Sequence, residues 1–274
     1  MKINYNILFA TVICSLLLNL NVQANTPMNR EPAFKSGEKI TYTASYALGF
    51  LYTDVAEVSL GVNAENNQSN QFKITAKGNT YSFYDKFFKV RDLYEARFQM
   101  PGFKSTYFHR DVYEGGYTVK NTYAFDWENH EINGTVEKKK GTNTVNIPMD
   151  GKQPFDVLTS LYYFRNIDFE KGKVNTVYPI SVMLDDSIYT IGCKYAGKEV
   201  RKIKAMNAKV NCLKLQLEVI AGEVFKGAEV ITIWVSDDHN HIPLEMEFPI
   251  RIGKVKARIQ KYENLKYPIN FADK

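Results

Sequence analysis

Apolar and polar residues alternate with a period of two along most of this chain, the spacing of strands with one dry face and one wet face. Ile40, Tyr42, Ala44 and Tyr46 share one side of a first run, with Lys39, Thr41, Thr43 and Ser45 on the other. The same rule groups Ala56, Val58, Leu60 and Val62, then Phe72, Ile74 and Ala76. It returns in Tyr117–Trp127, Ile132–Val136 and Val174–Val182, and late in the chain in Leu244–Ile250 and Val255–Ile259. One dry face per strand predicts antiparallel rather than buried parallel sheet. Turn residues separate the runs at Glu65–Gln68, Glu114–Gly116, Glu128–Asn129, Ala196–Lys198 and Ile252–Lys254. Alternation predicts about 13 to 15 strands, joined mostly as a meander within one continuous sheet.

One segment departs from this pattern. Pro154–Asn166 carries Val157, Leu158, Leu161, Tyr162 and Phe164 at helical spacing, and Pro154 suits a first turn. An amphipathic helix among strands needs a dry sheet face to cover. The expected fold is therefore all-β and mostly antiparallel: a large curved sheet or incomplete barrel with one amphipathic helix on its concave face. Tyr81–Phe88 is dense in rings and predicts a helical turn at the rim of that concavity.

The first residues read differently again. Lys2, the apolar run Ile7–Leu18 and the small-residue pattern Val22-Gln23-Ala24 describe a secretory signal peptide over 1–24. The run is shorter than the roughly 18–20 residues that span a bilayer, and a retained N-terminal anchor is the alternative. The expected location is periplasmic or otherwise exported, with no transmembrane segment after cleavage. Residues 25–33 are expected to form a disordered lead-in, 34–265 a single β-rich domain and 266–274 a tail.

Net charge is +5 and dispersed, which argues against nucleic acid. Lys138-Lys139-Lys140 precedes Gly141 and reads as a solvated hairpin tip. Beyond the leader two cysteines remain. Alternation puts Cys193 with Tyr189, Ile191 and Tyr195, and puts Cys212 opposite Leu213, Leu215 and Leu217. In one sheet those thiols face opposite ways, out of the roughly 4.5 Å Cβ reach of a disulfide.

Candidate chemistry is sparse. Asp237-Asp238-His239-Asn240-His241 could ligate a divalent metal, but it sits between two strand runs, where Asp and Asn also serve as turn residues. Arg110 lies near Glu114, either as a rim ion pair or as a grip for an anionic ligand. The nucleophile-elbow, zincin and phosphate-loop motifs are missing, so neither enzymatic activity nor a cofactor or metal is expected.

The 18 tyrosines and 17 phenylalanines carry the remaining information, and many fall on dry faces. They either fill a solid core or line an apolar cavity for a lipid or other apolar small molecule. Candidate cavity residues are Tyr42, Tyr46, Phe83, Phe87, Leu158, Leu161, Tyr162 and Phe248, with Arg110 and Glu114 on a polar rim. The cavity reading describes a binding or carrier protein. The solid-core reading describes an envelope structural or interaction domain with a protein partner.

Several segments, in this order, carry a family resemblance: Phe34–Tyr42, Val90–Glu95, Arg110 with Glu114-Gly115-Gly116, Phe125-Asp126, Asp156–Arg165, and Trp234–Asp238 followed by Ile242-Pro243-Leu244. The chain resembles the DUF3108 domain proteins, exported bacterial proteins of unknown function. That resemblance implies export and a β-rich fold, without established activity or catalytic residues, and it makes Asp237 part of a strand-end turn. Asn207-Ala208 departs from it where a glycine-containing turn is expected. By looser analogy, such a sheet with a helix in its mouth looks like the periplasmic lipoprotein carriers.

Overall fold

The structure, a computed structural model, describes residues 31–65, 70–221, 230–250 and 252–273. The leader 1–24 lies outside the described residues. Among the described residues fifteen strands follow one another: β1 (Glu38–Leu48), β2 (Leu51–Ala64), β3 (Gln71–Thr80), β4 (Val90–Gln99), β5 (Lys104–Glu114), β6 (Tyr117–Asp126), β7 (Glu131–Lys138), β8 (Gly141–Pro148), β9 (Pro154–Phe155), β10 (Val177–Leu184), β11 (Ser187–Ile203), β12 (Ala208–Ala221), β13 (Ile231–Ser236), β14 (Pro243–Pro249) and β15 (Lys254–Glu263). Among the described residues a single α-helix, α1 (Val157–Phe164), falls between β9 and β10.

All fifteen strands form one sheet in the order β8-β7-β6-β5-β4-β3-β2-β1-β15-β14-β13-β12-β11-β10-β9. The chain therefore builds one arm outward from β1 and returns through the other arm to close on β1 with β15. Every pair is antiparallel except β9 with β10, which makes the sheet mixed. β8 and β9 remain as edges, so the sheet curls without closing into a barrel. Arg110 on β5 pairs with Asp185 in the β10–β11 turn, and the Tyr123 hydroxyl on β6 donates to the Asp185 carbonyl. These contacts tie the two arms across the concavity.

The helix is shorter than its apolar spacing predicts. Asp156 takes the N-cap position and accepts from the Thr159 N–H at 2.8 Å, which starts the helix at Val157. Pro154, expected in the first helical turn, instead sits in β9 opposite Ser181. A residue without an N–H is tolerated on such an edge. Ala196–Lys198, expected as a turn, is a bulge inside the continuous strand β11, where the register shifts between Tyr195 and Gly197. Gly197 supplies the φ of 108° that the bulge adopts. The β11–β12 turn manages without glycine because Asn207 takes the left-handed conformation, φ 47°.

Residues 25–30 of the lead-in lie outside the described residues, whereas 31–33 and the tail make defined contacts. Ala33 is buried and its N–H donates to Asn166 Oδ1 at 2.9 Å. Lys266 reaches Glu31 at 3.0 Å, and Phe271 bridges to Val210. Cys193 and Cys212 are both free thiols, buried in different apolar clusters.

The larger cluster lies in the concavity between α1 and both arms. Under β3–β5 it is built of rings: Phe34 meets Tyr162 edge-on at 5.0 Å, and Phe98 stacks on Phe72 and Phe103, each at 5.5 Å. Each such ring removed from water contributes about 1.5–3 kcal/mol. A second cluster joins Ile40, Tyr42, Ile203, Val210, Cys212 and Trp234 where β1 and β15 meet.

An apolar cleft between the helix and the sheet

Helix α1 buries two faces. Tyr162 turns to the ring core just described, whereas Val157, Leu158, Leu161, Phe164 and Arg165 turn to a cleft. The opposite wall comes from β10–β14, through Val182, Leu184, Ile191, Cys193, Leu215, Leu217, Ile231, Ile233, Met246 and Phe248. The cleft has a volume of about 350 Å³. Its lining is overwhelmingly hydrocarbon, with Glu218, Ser160, His241 and Arg165 as the polar exceptions. Glu218 is exposed at one end, while Arg165 and His241 are buried at the other. The space therefore runs from an open mouth beside Glu218, Ile231 and Phe248 on β12–β14 to a closed floor.

That floor is held by charge. Arg165 donates to both carboxylate oxygens of Glu38, at 2.6 and 2.9 Å, with both side chains almost wholly buried. Its Nε donates to the Asn240 carbonyl at 3.0 Å, and its guanidinium lies 5.0 Å from the Tyr162 ring. Such a fork suits arginine, whose planar donors match a carboxylate. His241 stands beside it, with Nδ1 2.9 Å from the Arg165 carbonyl. A carbonyl only accepts, so Nδ1 carries the proton. Burial pushes the His241 pKa down, which keeps the ring neutral at the cleft floor.

Burial likewise holds the Cys193 thiol well above its ordinary range, so it lines the cleft protonated. Nothing here pairs a nucleophile with a base. Among the described residues, no three His, Cys, Asp or Glu side chains are grouped to hold a metal ion. Asp238 is occupied within its own turn: it accepts from the Asn240 N–H at 2.9 Å and from Ser236 Oγ at 2.9 Å.

Of the residues singled out from sequence, Leu158, Leu161 and Phe248 line the cleft. Tyr162 does not, because it faces the ring core. Tyr42 lies in the second cluster, and Tyr46 donates to the Ile252 carbonyl at 3.1 Å. Phe83 and Phe87 flank a 3-10 turn over Tyr84–Lys86 and are solvent-exposed. Arg110 pairs with Asp185 rather than with Glu114. The cleft residues missed from sequence lie on the dry faces of β10–β13, where Leu215 and Leu217 had already been grouped; alternation gave the face but not the gap in front of it.

Glu114 acts instead on Asp92. Burial, then the Glu114 charge, pushes the Asp92 carboxyl up to about 7. A carboxyl raised in the folded state holds a proton that the unfolded chain releases. Stability from this group is therefore full below the ordinary aspartate pKa and is lost as pH rises through about 7. Asp92 is half-buried, so solvent screens the effect to about 1 kcal/mol. Urea unfolding at pH 4.5 and 8 is expected to show that loss in the wild type and a flatter response in Asp92→Asn. Parallel responses in the two proteins count against a raised Asp92.

Among the described residues no helix is long and apolar enough to cross a membrane. A comparison with curated proteins returns no significant match. The fold is similar to a crystal structure of a β-barrel-like DUF1849 protein from Brucella abortus, at TM-score 0.58 and 10% identity over 84% of this chain and 99% of that one. Weaker likenesses are to a candidate lipoprotein from Parabacteroides distasonis, at TM-score 0.33 and 11% identity over 87% of this chain and 100% of that one. A candidate exported protein with a YmcC-like fold from Bacteroides fragilis matches at TM-score 0.31 and 8% identity, with 87% and 100% covered. The profile of a protein family of unknown function, DUF3108, matches residues 41–260, and the chain belongs to that family.

Proposed function

We infer that this is an exported binding or carrier protein that takes a lipid-like apolar ligand into the cleft beside α1. The observation that carries the reading is the cleft itself: about 350 Å³ with a nearly all-hydrocarbon lining and an open mouth. Ligand sites run from about 300 to 1,000 Å³, so this one suits a single chain or small ring system. The leader over 1–24 supports export, into the periplasm in a Gram-negative host. Binding is passive, driven by apolar area leaving water.

Entry needs no displacement of the helix. Asp156 and Ser105 fasten one end of α1, and Arg165 and Glu38 the other. The ligand enters between the tips of β12–β14 and α1, with Leu161, Leu217 and Phe248 as its first contacts.

Native mass spectrometry on protein exported into a periplasm and purified without detergent tests this. The expected spectrum carries an adduct of lipid-like mass that leaves on delipidation. Leu217→Trp, which fills the mouth, is expected to weaken uptake of a fluorescent fatty acid by about tenfold or more, while overpacking costs about 1–3 kcal/mol of stability. A clean apoprotein mass together with no fatty-acid uptake moves the reading to an envelope interaction domain. The ring-packed arm under β3–β5 is the observation that favours that second reading.

A further inference from the structure

Antiparallel strands send alternate turns to opposite ends of a sheet. One end of this sheet carries the turns 48–51, 81–89, 114–117, 138–141, 184–187 and 249–254. Twelve of the sixteen exposed large hydrophobic residues among the described residues lie at that end. Phe50 is 98% exposed, Phe87 76% and Phe83 63%, with Leu51 and Ile252 also more than half exposed. Single exposed apolar residues are ordinary, but this concentration on one rim is not.

The turns adjoin one another. Thr53 and Tyr84 share a hydrogen bond between the first and second, the Gly115 N–H donates to the Lys89 carbonyl at 2.9 Å, and Tyr46 holds the Ile252 carbonyl. The rim also meets the cleft: Phe248 on the cleft wall is two residues from Ile250 on the rim, and Glu218 and Ile231 at the mouth face the same end.

We propose that this end of the sheet docks on an anionic lipid bilayer, with the cleft mouth facing the membrane. Three features select a bilayer as the occupant. The apolar groups project from separate turn tips, as wedges do, rather than forming one flat patch. Tyrosines stand behind the tips, Tyr52, Tyr81 and Tyr113 being less exposed than the phenylalanines, which is the layering of an interfacial aromatic belt. Exposed lysines share the rim, Lys86 and Lys89 beside Phe87 and then Lys138–Lys140, and their charge complements anionic headgroups. Docking stands on the rim alone and does not depend on what fills the cleft.

Vesicle co-sedimentation of the exported chain, freed of its leader, tests the proposal. Vesicles of phosphatidylglycerol with phosphatidylethanolamine are compared with vesicles of phosphatidylcholine alone. The wild type is expected to sediment with the anionic vesicles, and less so in high salt. The variant F50S/F83S/F87S is expected to lose more than about tenfold in partitioning, with an unchanged thermal melt because those rings already face solvent. K86E/K139E/K140E is expected to weaken binding and flatten its salt dependence. Fatty-acid uptake by the cleft, measured on the same variants, is expected to stay at the wild-type level, so a failure of docking is distinguishable from an empty cleft. Wild-type protein that sediments with neither vesicle, or a triple-serine variant that binds as the wild type does, overturns the proposal. Self-association that the serine changes abolish, without vesicle binding, would assign the rim to a second copy instead.

Discussion

Replacing Arg165 with methionine is expected to lower the free energy of unfolding by about 3–5 kcal/mol, read from urea or guanidinium titration at neutral pH. The volume lost is small, so the cost is electrostatic. Arg165 and Glu38 are both sealed from water, and methionine leaves the Glu38 carboxylate buried without its cation. The Asn240 and Ala33 carbonyls lose a donor as well. Burying both groups was itself expensive, and that gives the prediction its discriminating arm. Glu38→Met with Arg165→Met leaves no lone charge, so the double variant is expected to cost clearly less than the sum of the singles. A single variant costing under about 1 kcal/mol would mean that water reaches the pair, and additive singles would mean that they do not act together.

The location of this pair explains why it matters beyond stability. Glu38 opens β1, Ala33 belongs to the lead-in, Asn240 to the β13–β14 turn and Arg165 to the C-cap of α1. One guanidinium thus fixes four stretches of chain around the cleft floor, with His241 alongside. On the proposed carrier reading, loosening it is expected to degrade apolar ligand retention as well as the fold.

Much of the architecture is legible from residue order because its signal is local. A strand with one wet face alternates over a few residues, as Ile40–Tyr46 does, and a helix breaks that period, as Val157–Phe164 does. The meander follows from short turns. What escapes is whatever depends on residues far apart. The Arg165–Glu38 pair spans 127 positions, and nothing near either residue marks it as buried. The cleft escapes for a related reason. Leu161 lines it and the adjacent Tyr162 faces solid core, yet both lie on an apolar stripe too wide to reveal two faces. Phe83 and Phe87 mislead in the opposite direction, since a ring-dense segment normally packs inside and here it lies on the rim. Composition records how much apolar surface a chain has; only the folded sheet arms record where it is left uncovered.

Asp156→Ala is expected to cost about 2–4 kcal/mol, the second largest effect. The carboxylate caps α1 by accepting from the Thr159 N–H at 2.8 Å, and it also accepts from Thr159 Oγ1 and Ser105 Oγ, each at 2.6 Å. Truncation removes the cap, worth about 0.5–2 kcal/mol, and strands buried donors on Thr159 and Ser105. Burial pushes the Asp156 pKa up against those hydrogen bonds. A raised carboxyl contributes most below the ordinary aspartate pKa and loses that contribution as pH rises, so Asp156→Asn, which still accepts but carries no charge, is expected to be far milder than alanine and to flatten this part of the pH response. Because Ser105 lies on β5, the alanine change also frees the entry end of the helix from the far arm of the sheet. Hydrogen exchange is therefore expected to rise across Val157–Leu161 more than across the β1–β15 junction. Equal exchange in the two regions would mean that Asp156 stabilises the whole sheet rather than the helix entry, and a loss below about 1 kcal/mol would mean that water replaces it in the cap.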